Sequence, residues 1–270
     1  MDSLSRGDAC LEAGDIDGAV RAYSQAIEEA PADPEAHFRR GIALTERGKF
    51  QVAIVDYSSA IDLDDTNTLY YYKRGVAYHN AGRLEKAVED YSAAIEIDPS
   101  NALAYNNRGV ARHRLGDFEG AMADYQRVIQ ISPADANVFI NRGFALHENG
   151  DFDLAIMDYS RAIELDPQNA LAHTNRGLSM RAKAHQLNFE AIEEFSRAIE
   201  IDPDYAAAYS SRGLAFQELG RDLDARRDSQ TAAELDPQYL LVPIDSGADS
   251  DAAVVSSDTP ISSGDEPAET

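Results

Sequence analysis

The sequence predicts an all-α fold of tandem helix pairs, because three features recur along most of its 270 residues. A glycine preceded by an arginine returns five times at intervals of 34 residues and then once at 36. A second glycine and a proline keep the same period, and such residues mark the ends of helices. Between them, small and aromatic apolar residues follow the three- and four-residue spacing of one helical face. A period of this length is typical of a solenoid of stacked units.

Seven repeats carry these columns of equivalent residues. The glycines that follow an arginine are Gly7, Gly41, Gly75, Gly109, Gly143, Gly177 and Gly213. The aromatic column of the second helix is Tyr23, Tyr57, Tyr91, Tyr125, Tyr159 and Phe195, and Ser229 interrupts it at the end. We therefore predict repeats at approximately 1–33, 34–67, 68–101, 102–135, 136–169, 170–205 and 206–237, which form one repeat domain over residues 1–237.

The fifth repeat illustrates why each repeat is expected to be a helix pair. Its first helical face is Phe139, Gly143 and Leu146, and its second is Ala155, Tyr159 and Ala162. Between them, Gly150 is expected to end the first helix in a left-handed conformation, and Asp151 to cap the second. Pro167 ends the repeat because proline cannot continue a helix. Small residues are expected where the helices approach closely, with the tyrosine filling the gap beside them.

The last two repeats depart from the pattern. The sixth has two additional residues and Ala184 in place of its turn glycine, so a longer first helix or an altered turn is expected there. The seventh has a polar second helix, which is expected to act as a solubilising cap of the array. From Gln238 the composition changes, and residues 239–244 form a short apolar patch that is expected to pack on the last helix, with a position in the groove or no attachment as the alternatives. Residues 245–270 have no Lys or Arg and are rich in Ser, Asp, Ala and Pro. We predict that residues 238–270 form a disordered acidic tail.

The period and the glycine, alanine, aromatic and proline columns resemble the tetratricopeptide repeat. The resemblance covers residues 1–237 and is specific for fold but not for function. It implies a right-handed superhelix, a solenoid in which the first helix of each pair lines a concave groove. Each repeat would contact mainly its neighbours, so the array would have no single core.

An arginine stands before each of the seven glycines, and six repeats carry a matched acidic residue in the second helix. These acidic residues are Asp56, Asp90, Asp124, Asp158, Glu194 and Asp228. The arginines lie between packing residues, so we expect ion pairs between helices, with the arginine stems packed. Binding of a ligand anion by this column is the alternative.

The opposite face of each first helix is expected to line the groove. It carries two polar rows, the asparagines Asn107, Asn141 and Asn175 and the histidines His79, His113 and His147. Neighbouring candidates are Tyr72, Asn106 and Phe144, together with Arg39, Lys73 and Arg181, which make the groove less acidic than the rest of the chain. An amide both donates and accepts hydrogen bonds, so an asparagine row can hold a peptide backbone. The row resembles the one that holds peptide backbone in O-linked N-acetylglucosamine transferase; a solvated repeat consensus is the alternative.

The histidine row is not expected to bind a metal. Neighbouring helices pack about 8–10 Å apart, whereas histidine–zinc bonds are about 2.1 Å long. We interpret these residues as a polar groove wall or as peptide contacts that respond to mild acid, because histidine gains charge at about pH 6.5. No phosphate-binding glycine loop, metalloprotease motif or organised nucleophile is recognisable, so the sequence predicts no catalytic residue, cofactor or metal.

Charge and cysteine content narrow the classes of partner and compartment. The chain has 24 basic and 48 acidic side chains, a net charge of −24, which disfavours nucleic acid and anionic membrane surfaces. Cys10 is the single cysteine, which fits a reducing compartment. No secretory signal is recognisable, and no stretch approaches the roughly 20 apolar residues of a membrane span. A cytoplasmic location is therefore expected.

These observations favour a non-catalytic scaffold or adaptor that binds an extended peptide or a partner helix in the concave groove. The expected partners are other proteins, without nucleic acid and without membrane insertion. A self-assembling structural scaffold and a regulatory subunit of a separate enzyme are the alternatives. We expect a monomer with at most weak self-association, because the polar seventh helix disfavours end-to-end stacking.

Overall fold

The computed structural model describes residues 2–183 and 188–239, and these ranges contain fourteen α-helices and no strand. The helices are α1 Ser3–Glu12, α2 Ile16–Glu29, α3 Pro34–Glu46, α4 Phe50–Leu63, α5 Thr68–Asn80, α6 Leu84–Ile97, α7 Ala102–Arg114, α8 Phe118–Ile131, α9 Ala136–Glu148, α10 Phe152–Leu165, α11 Ala170–Lys183, α12 Asn188–Ile201, α13 Ala206–Glu218 and α14 Asp222–Leu235. A short 3-10 helix, Pro237–Tyr239, follows them. Over these described ranges no helix has the length and apolar character that crossing a membrane requires.

The chain divides into two compact bodies, an N-terminal body that contains α1 to α8 and a C-terminal body that contains α9 to α14. Within each body, every helix packs against the next one in sequence. First helices of adjacent repeats also meet, as α3 does with α5 and α9 with α11. The packing is therefore local, as the repeat pattern predicts, and the buried residues form seams between successive helices.

The turn glycines end the first helices as the sequence predicts. Gly14, Gly48, Gly82, Gly116, Gly150 and Gly220 all have φ between 69° and 86°, a left-handed conformation that costs glycine little. At Gly150 the amide donates to the His147 carbonyl at 3.0 Å, and the Asp151 amide donates to the Leu146 carbonyl at 2.9 Å. This pair of bonds satisfies carbonyls that the end of a helix leaves without partners.

The cap predicted at Asp151 differs from expectation, and the turn predicted at Ala184 is not among the described residues. Asp151 is the N-terminal cap residue of α10 but makes no side-chain capping bond. Its carboxylate instead accepts from the Asn149 side chain at 2.7 Å, so the expected cap was wrong in this detail. Ala184, at the altered turn of the sixth repeat, lies outside the described residues, as do residues 240–270 of the predicted tail. The first two residues of that predicted tail, Gln238 and Tyr239, lie in the short 3-10 helix, so the expectation of disorder from residue 238 was wrong for these two.

In the first five repeats a tyrosine lies against the glycine that follows the arginine and sets how closely the paired helices approach. A Cβ atom added to Gly41 would lie 2.6 Å from Cε1 of Tyr57, and one added to Gly143 would lie 2.9 Å from Cε1 of Tyr159. Both tyrosine rings are fully buried. The glycine column therefore makes room for the aromatic column, which confirms the predicted packing of each pair.

The arginine and acidic columns form ion pairs between the two helices of a repeat. Arg40 donates through Nε and Nη2 to both carboxylate oxygens of Asp56, at 2.7 and 2.6 Å. Equivalent two-bond pairs join Arg74 to Asp90, Arg108 to Asp124, Arg142 to Asp158 and Arg212 to Asp228. The carboxylates are buried. The prediction of ion pairs between helices is confirmed, and we call this set the arginine ladder.

For two of the ladder carboxylates, Asp90 and Asp158, burial and pairing act in opposite directions on the pKa. Burial raises the pKa of Asp158, and the hydrogen bonds and charge of Arg142 offset only part of that rise. Asp90 behaves in the same way beside Arg74. Each carboxylate therefore depends on its arginine, because a buried charge without a partner is costly.

Candidate functional site

The twelve predicted groove residues all lie on first helices, on both bodies. The N-terminal body carries seven of them on α3, α5 and α7, namely Arg39, Tyr72, Lys73, His79, Asn106, Asn107 and His113. The C-terminal body carries five on α9 and α11, namely Asn141, Phe144, His147, Asn175 and Arg181. Within a body these helices are neighbours, since α3 contacts α5, α5 contacts α7 and α9 contacts α11.

The asparagine row is buried, which differs from the open row that the sequence led us to expect. Asn107 is 1% exposed and Asn175 is completely covered. The amide nitrogen of Asn107 donates to the hydroxyl of Tyr72 at 3.1 Å and so links α7 to α5. Asn106 donates in turn to the side-chain oxygen of Asn107 at 3.4 Å. Asn107 therefore joins two neighbouring first helices, and contact of the asparagine row with a peptide stays a prediction.

Other predicted residues are also covered. Tyr72, His79, Asn141 and Phe144 are buried, and burial raises the pKa of the Tyr72 hydroxyl far above its usual value. The five that remain partly exposed are Arg39, Lys73, His113, His147 and Arg181. All five are cations or groups that can become cations. The accessible part of the candidate site is thus more basic than the whole set of twelve.

Arg39 is held by two carboxylates that the sequence analysis missed. Its Nη1 donates to Asp8 on α1, and its Nε donates to Glu35 on α3 at 2.6 Å. The hydroxyl of Tyr23 donates to Asp8 at 2.8 Å. Burial acts to lower the pKa of the Arg39 guanidinium, but its bonds to Glu35 and Asp8 leave that pKa raised. The sequence does contain a signal for this cluster, since Asp8 lies in the preceding repeat and Glu35 lies one helical turn before Arg39.

The histidine row makes specific hydrogen bonds. Nη1 of Arg114 lies 3.1 Å from Nε2 of His79. Arginine can only donate, so Nε2 of His79 accepts and carries no proton in this arrangement. His147 bonds through Nδ1 to the hydroxyl of Ser179 at 2.7 Å, and its ring meets the edge of Phe152 with centroids 5.1 Å apart. Within the described ranges, no three His, Cys, Asp or Glu side chains are placed to hold a metal ion.

Arg181, on α11, contacts the next first helix of the C-terminal body. Its Nη1 donates to Glu218 of α13 at 3.1 Å, and the other oxygen of Glu218 accepts from Asn188 of α12 at 2.9 Å. In the N-terminal body, Nζ of Lys73 lies 6.0 Å from the centroid of the Tyr72 ring. These faces offer cations, imidazoles and hydroxyls, which suit hydrogen bonding to a polypeptide.

The helix pairs and their glycine–tyrosine columns define a helical-repeat protein. The profile described as TPR repeat matches residues 79–116, 111–150, 145–182 and 189–220, and the profile described as tetratricopeptide repeat matches residues 4–68. Together these matches cover most of the chain, which belongs to the tetratricopeptide repeat family. This finding confirms the resemblance drawn from the sequence, and proteins of this fold are in general scaffolds for protein interaction.

Solved structures show the same fold. A tetratricopeptide repeat protein from Parabacteroides merdae has a TM-score of 0.73 at 18% identity, covering 88% of this chain and 96% of that chain. MamA protein has a TM-score of 0.58 at 26% identity, covering 62% of this chain and 92% of that one. YrrB, described as a TPR protein with an unusual peptide-binding site, has a TM-score of 0.56 at 25% identity, covering 70% and 97%. No curated protein matches the sequence. The similarities confirm the all-helical solenoid fold.

Proposed function

We propose that this chain is a non-catalytic adaptor that binds an extended peptide or a partner helix along the first-helix face of a body. The observation that carries the proposal is the accessible pair Lys73 and His113, on the neighbouring helices α5 and α7. On the same two helices, Asn107 and Tyr72 are bonded to each other and buried, which restricts the motion of both side chains. Rigid support lowers the entropy cost of binding.

The peptide-binding site printed for YrrB supports the same proposal by analogy. We extend that description to this chain only as a class of ligand, a polypeptide. Lys73 and the Arg114–His79 pair favour a ligand with carboxylates or backbone carbonyls, because these groups accept hydrogen bonds from cations. The buried asparagines would act by holding Tyr72 and its neighbours in place.

Site-specific photo-crosslinking tests the proposed face. A photo-reactive amino acid at position 73, on α5, should capture a partner from the native extract. The same amino acid at Lys86 is the matched control, because Lys86 is an exposed lysine on the second helix α6 of the same repeat. We expect discrete crosslinked proteins from position 73 and only background from position 86. Equal capture at both positions would contradict the proposal.

We further propose that the chain acts as a cytoplasmic monomer, with residues 240–270 as a disordered tail. The net charge of −24 supports the monomer, because like charge opposes association. Size-exclusion chromatography with light scattering measures the mass directly. A mass of one 29.5 kDa chain at tens of micromolar is expected, and a concentration-dependent rise would favour the self-assembling alternative instead.

A further inference from the structure

The first repeat contains a cleft between α1 and α2 that the proposed function does not use. Its volume is about 310 Å³, and Arg6, Cys10, Arg21, Ala22 and Gln25 are among the residues that line it. In the second repeat the ladder arginine Arg40 faces the preceding repeat, because its Nη1 donates at 3.1 Å to Ser24 of α2. Arg6 is the equivalent arginine of the first repeat, so the cleft beside it lies on the side of the helix pair that faces away from α3.

The arginine ladder defines what is missing from this cleft. In five repeats the ladder arginine holds an aspartate sixteen residues later with two bonds, as Arg40 holds Asp56. The sixth repeat keeps the pair with a glutamate, through Arg176 and Glu194. In the first repeat the residue sixteen positions after Arg6 is Ala22. Arg6 therefore keeps the position of a ladder arginine without the carboxylate that the others bind.

The contacts of Arg6 leave room for that carboxylate. Its Nη2 donates to the Gln25 side-chain oxygen at 2.5 Å and to the Ser3 hydroxyl at 3.4 Å. Nε, which binds carboxylate in the second repeat, makes no hydrogen bond from Arg6 within the described part of the chain. No acidic side chain there forms an ion pair with Arg6 or with Arg21. Ala22 lines the cleft, so a methyl group stands where the other repeats place a carboxylate.

Local charge also favours an anionic group. Two arginines and a single acidic residue line the cleft, and that residue, Asp15, already accepts a bond from the Gly18 amide at 2.8 Å. The net charge of −24 belongs to the whole chain, and salt at physiological strength screens exposed charges beyond about 8 Å. Guanidinium and carboxylate make matched, two-bond pairs. We propose that this cleft is a second docking site, which takes a side-chain carboxylate from an acidic segment of a partner protein.

Calorimetric titration of the full chain with a defined peptide tests this site. The probe is a peptide of alternating alanine and glutamate, blocked at both ends so that all its carboxylates are side chains. The control peptide has glutamine in place of every glutamate. We expect the glutamate peptide to bind and the glutamine peptide not to bind. Arg6→Gln should weaken the apparent affinity by about fivefold, the upper range for an exposed ion pair.

Two further variants locate the bound peptide. Ala22→Asp should raise the melting temperature and weaken peptide binding, because the chain then supplies the missing carboxylate itself. Lys73→Ala, on the proposed groove face, should leave the affinity unchanged, so failure of one site can be told from failure of the other. Alkylation of Cys10, the single cysteine, by iodoacetamide should slow when the glutamate peptide is bound.

Several results of these experiments would contradict the proposed docking site. Absence of binding, equal binding of the two peptides, or unchanged affinity in Arg6→Gln would overturn the proposal. Binding that survives Ala22→Asp and leaves Cys10 fully reactive would place the peptide elsewhere and overturn it as well.

Discussion

Glu194 occupies the acidic position of the sixth repeat, where five other repeats carry aspartate. It receives bonds from Nδ1 of His173 and Nη2 of Arg176, and Nη1 of Arg197 lies 3.4 Å away. His173 stands where the fourth repeat has Tyr105, whose ring lies 5.4 Å from the Arg108 guanidinium. The additional methylene of glutamate lets one carboxylate reach both the histidine and the arginine. The replacement of aspartate by Glu194 and the replacement of the aromatic residue by His173 therefore compensate each other.

Glu194 and Asp158 should respond to pH in opposite directions. Burial acts to raise the pKa of Glu194, but the His173 bond and the Arg176 charge lower it overall. The pKa of Asp158 is raised because burial outweighs Arg142. A lowered carboxyl pKa contributes stability above its unfolded value that is lost as pH falls through the folded value, and a raised pKa has the reverse effect.

We expect Glu194→Gln to lose stability relative to the parent chain at neutral pH. That difference should shrink as pH falls below about 4.5 toward the lower folded-state pKa. With Asp158→Asn, the parent's advantage should instead be largest in acid and decline as pH rises through the raised pKa. Melting temperatures between about pH 7 and pH 3 measure both. Parallel pH curves for the two variants would contradict the assigned directions.

The exposure and the hydrogen-bond partners of individual site residues were harder to predict than the helices on which these residues lie. The period places Asn107 on the face opposite Gly109, but its 1% exposure depends on how near α5 lies to α7. A periodicity within one helix holds no information on that distance. The Arg39–Asp8 pair was missed for the same reason, since its partners belong to different repeats.

At the scale of the helix pair, the glycine–aromatic contact controls the approach of the two helices. Gly41 and Gly213 occupy the same column, but the aromatic opposite Gly41 is Tyr57, whereas Ser229 stands opposite Gly213. A Cβ at Gly213 would meet the Ala225 carbonyl oxygen at 3.1 Å and the Ser229 hydroxyl at 3.2 Å. A Cβ at Gly41 would instead lie 2.6 Å from Cε1 of the fully buried Tyr57 ring.

Alanine substitution at these two glycines should therefore have unequal effects. Gly41→Ala is expected to lower the free energy of unfolding by about 1–3 kcal/mol, the usual cost of overpacking a core. Gly213→Ala should cost less, because its contacts are looser and alanine favours a helix over glycine by about 1 kcal/mol. Urea unfolding followed by circular dichroism provides the comparison. Equal losses of unfolding free energy in the two variants would mean that the Tyr57 ring moves aside at little cost.

The helix pairs themselves were predictable because local chemistry determines them. Gly150 ends α9 through a left-handed φ of 86°, and a proline closes most repeats, so the boundaries follow from residue type. The sixth repeat shows the limit of this reasoning. Glu194 counted as equivalent to aspartate in sequence, and only the position of His173 shows that it has a second partner.

At the scale of the whole molecule, charge is unevenly distributed along the chain. The segment after Tyr239 contains seven acidic residues and no Lys or Arg. The described helices end at Leu235, followed by the short 3-10 helix Pro237–Tyr239. Like charges repel in proportion to their number, and salt screens that repulsion. The tail should therefore affect the electrostatics of the molecule more than its helix content.

Truncation after Tyr239 tests this separation. The variant should keep the helical circular dichroism signal per molecule, because all fourteen described helices precede the cut. Its melting temperature should depend less on salt than that of the full chain, since fewer like charges remain to be screened. A variant that instead cuts before the last helix, after Arg221, is the control and should lose helical signal, because it removes α14 from its pairing with α13. If truncation after Tyr239 also lowers the helical signal, the tail contains ordered structure and the prediction of disorder is wrong.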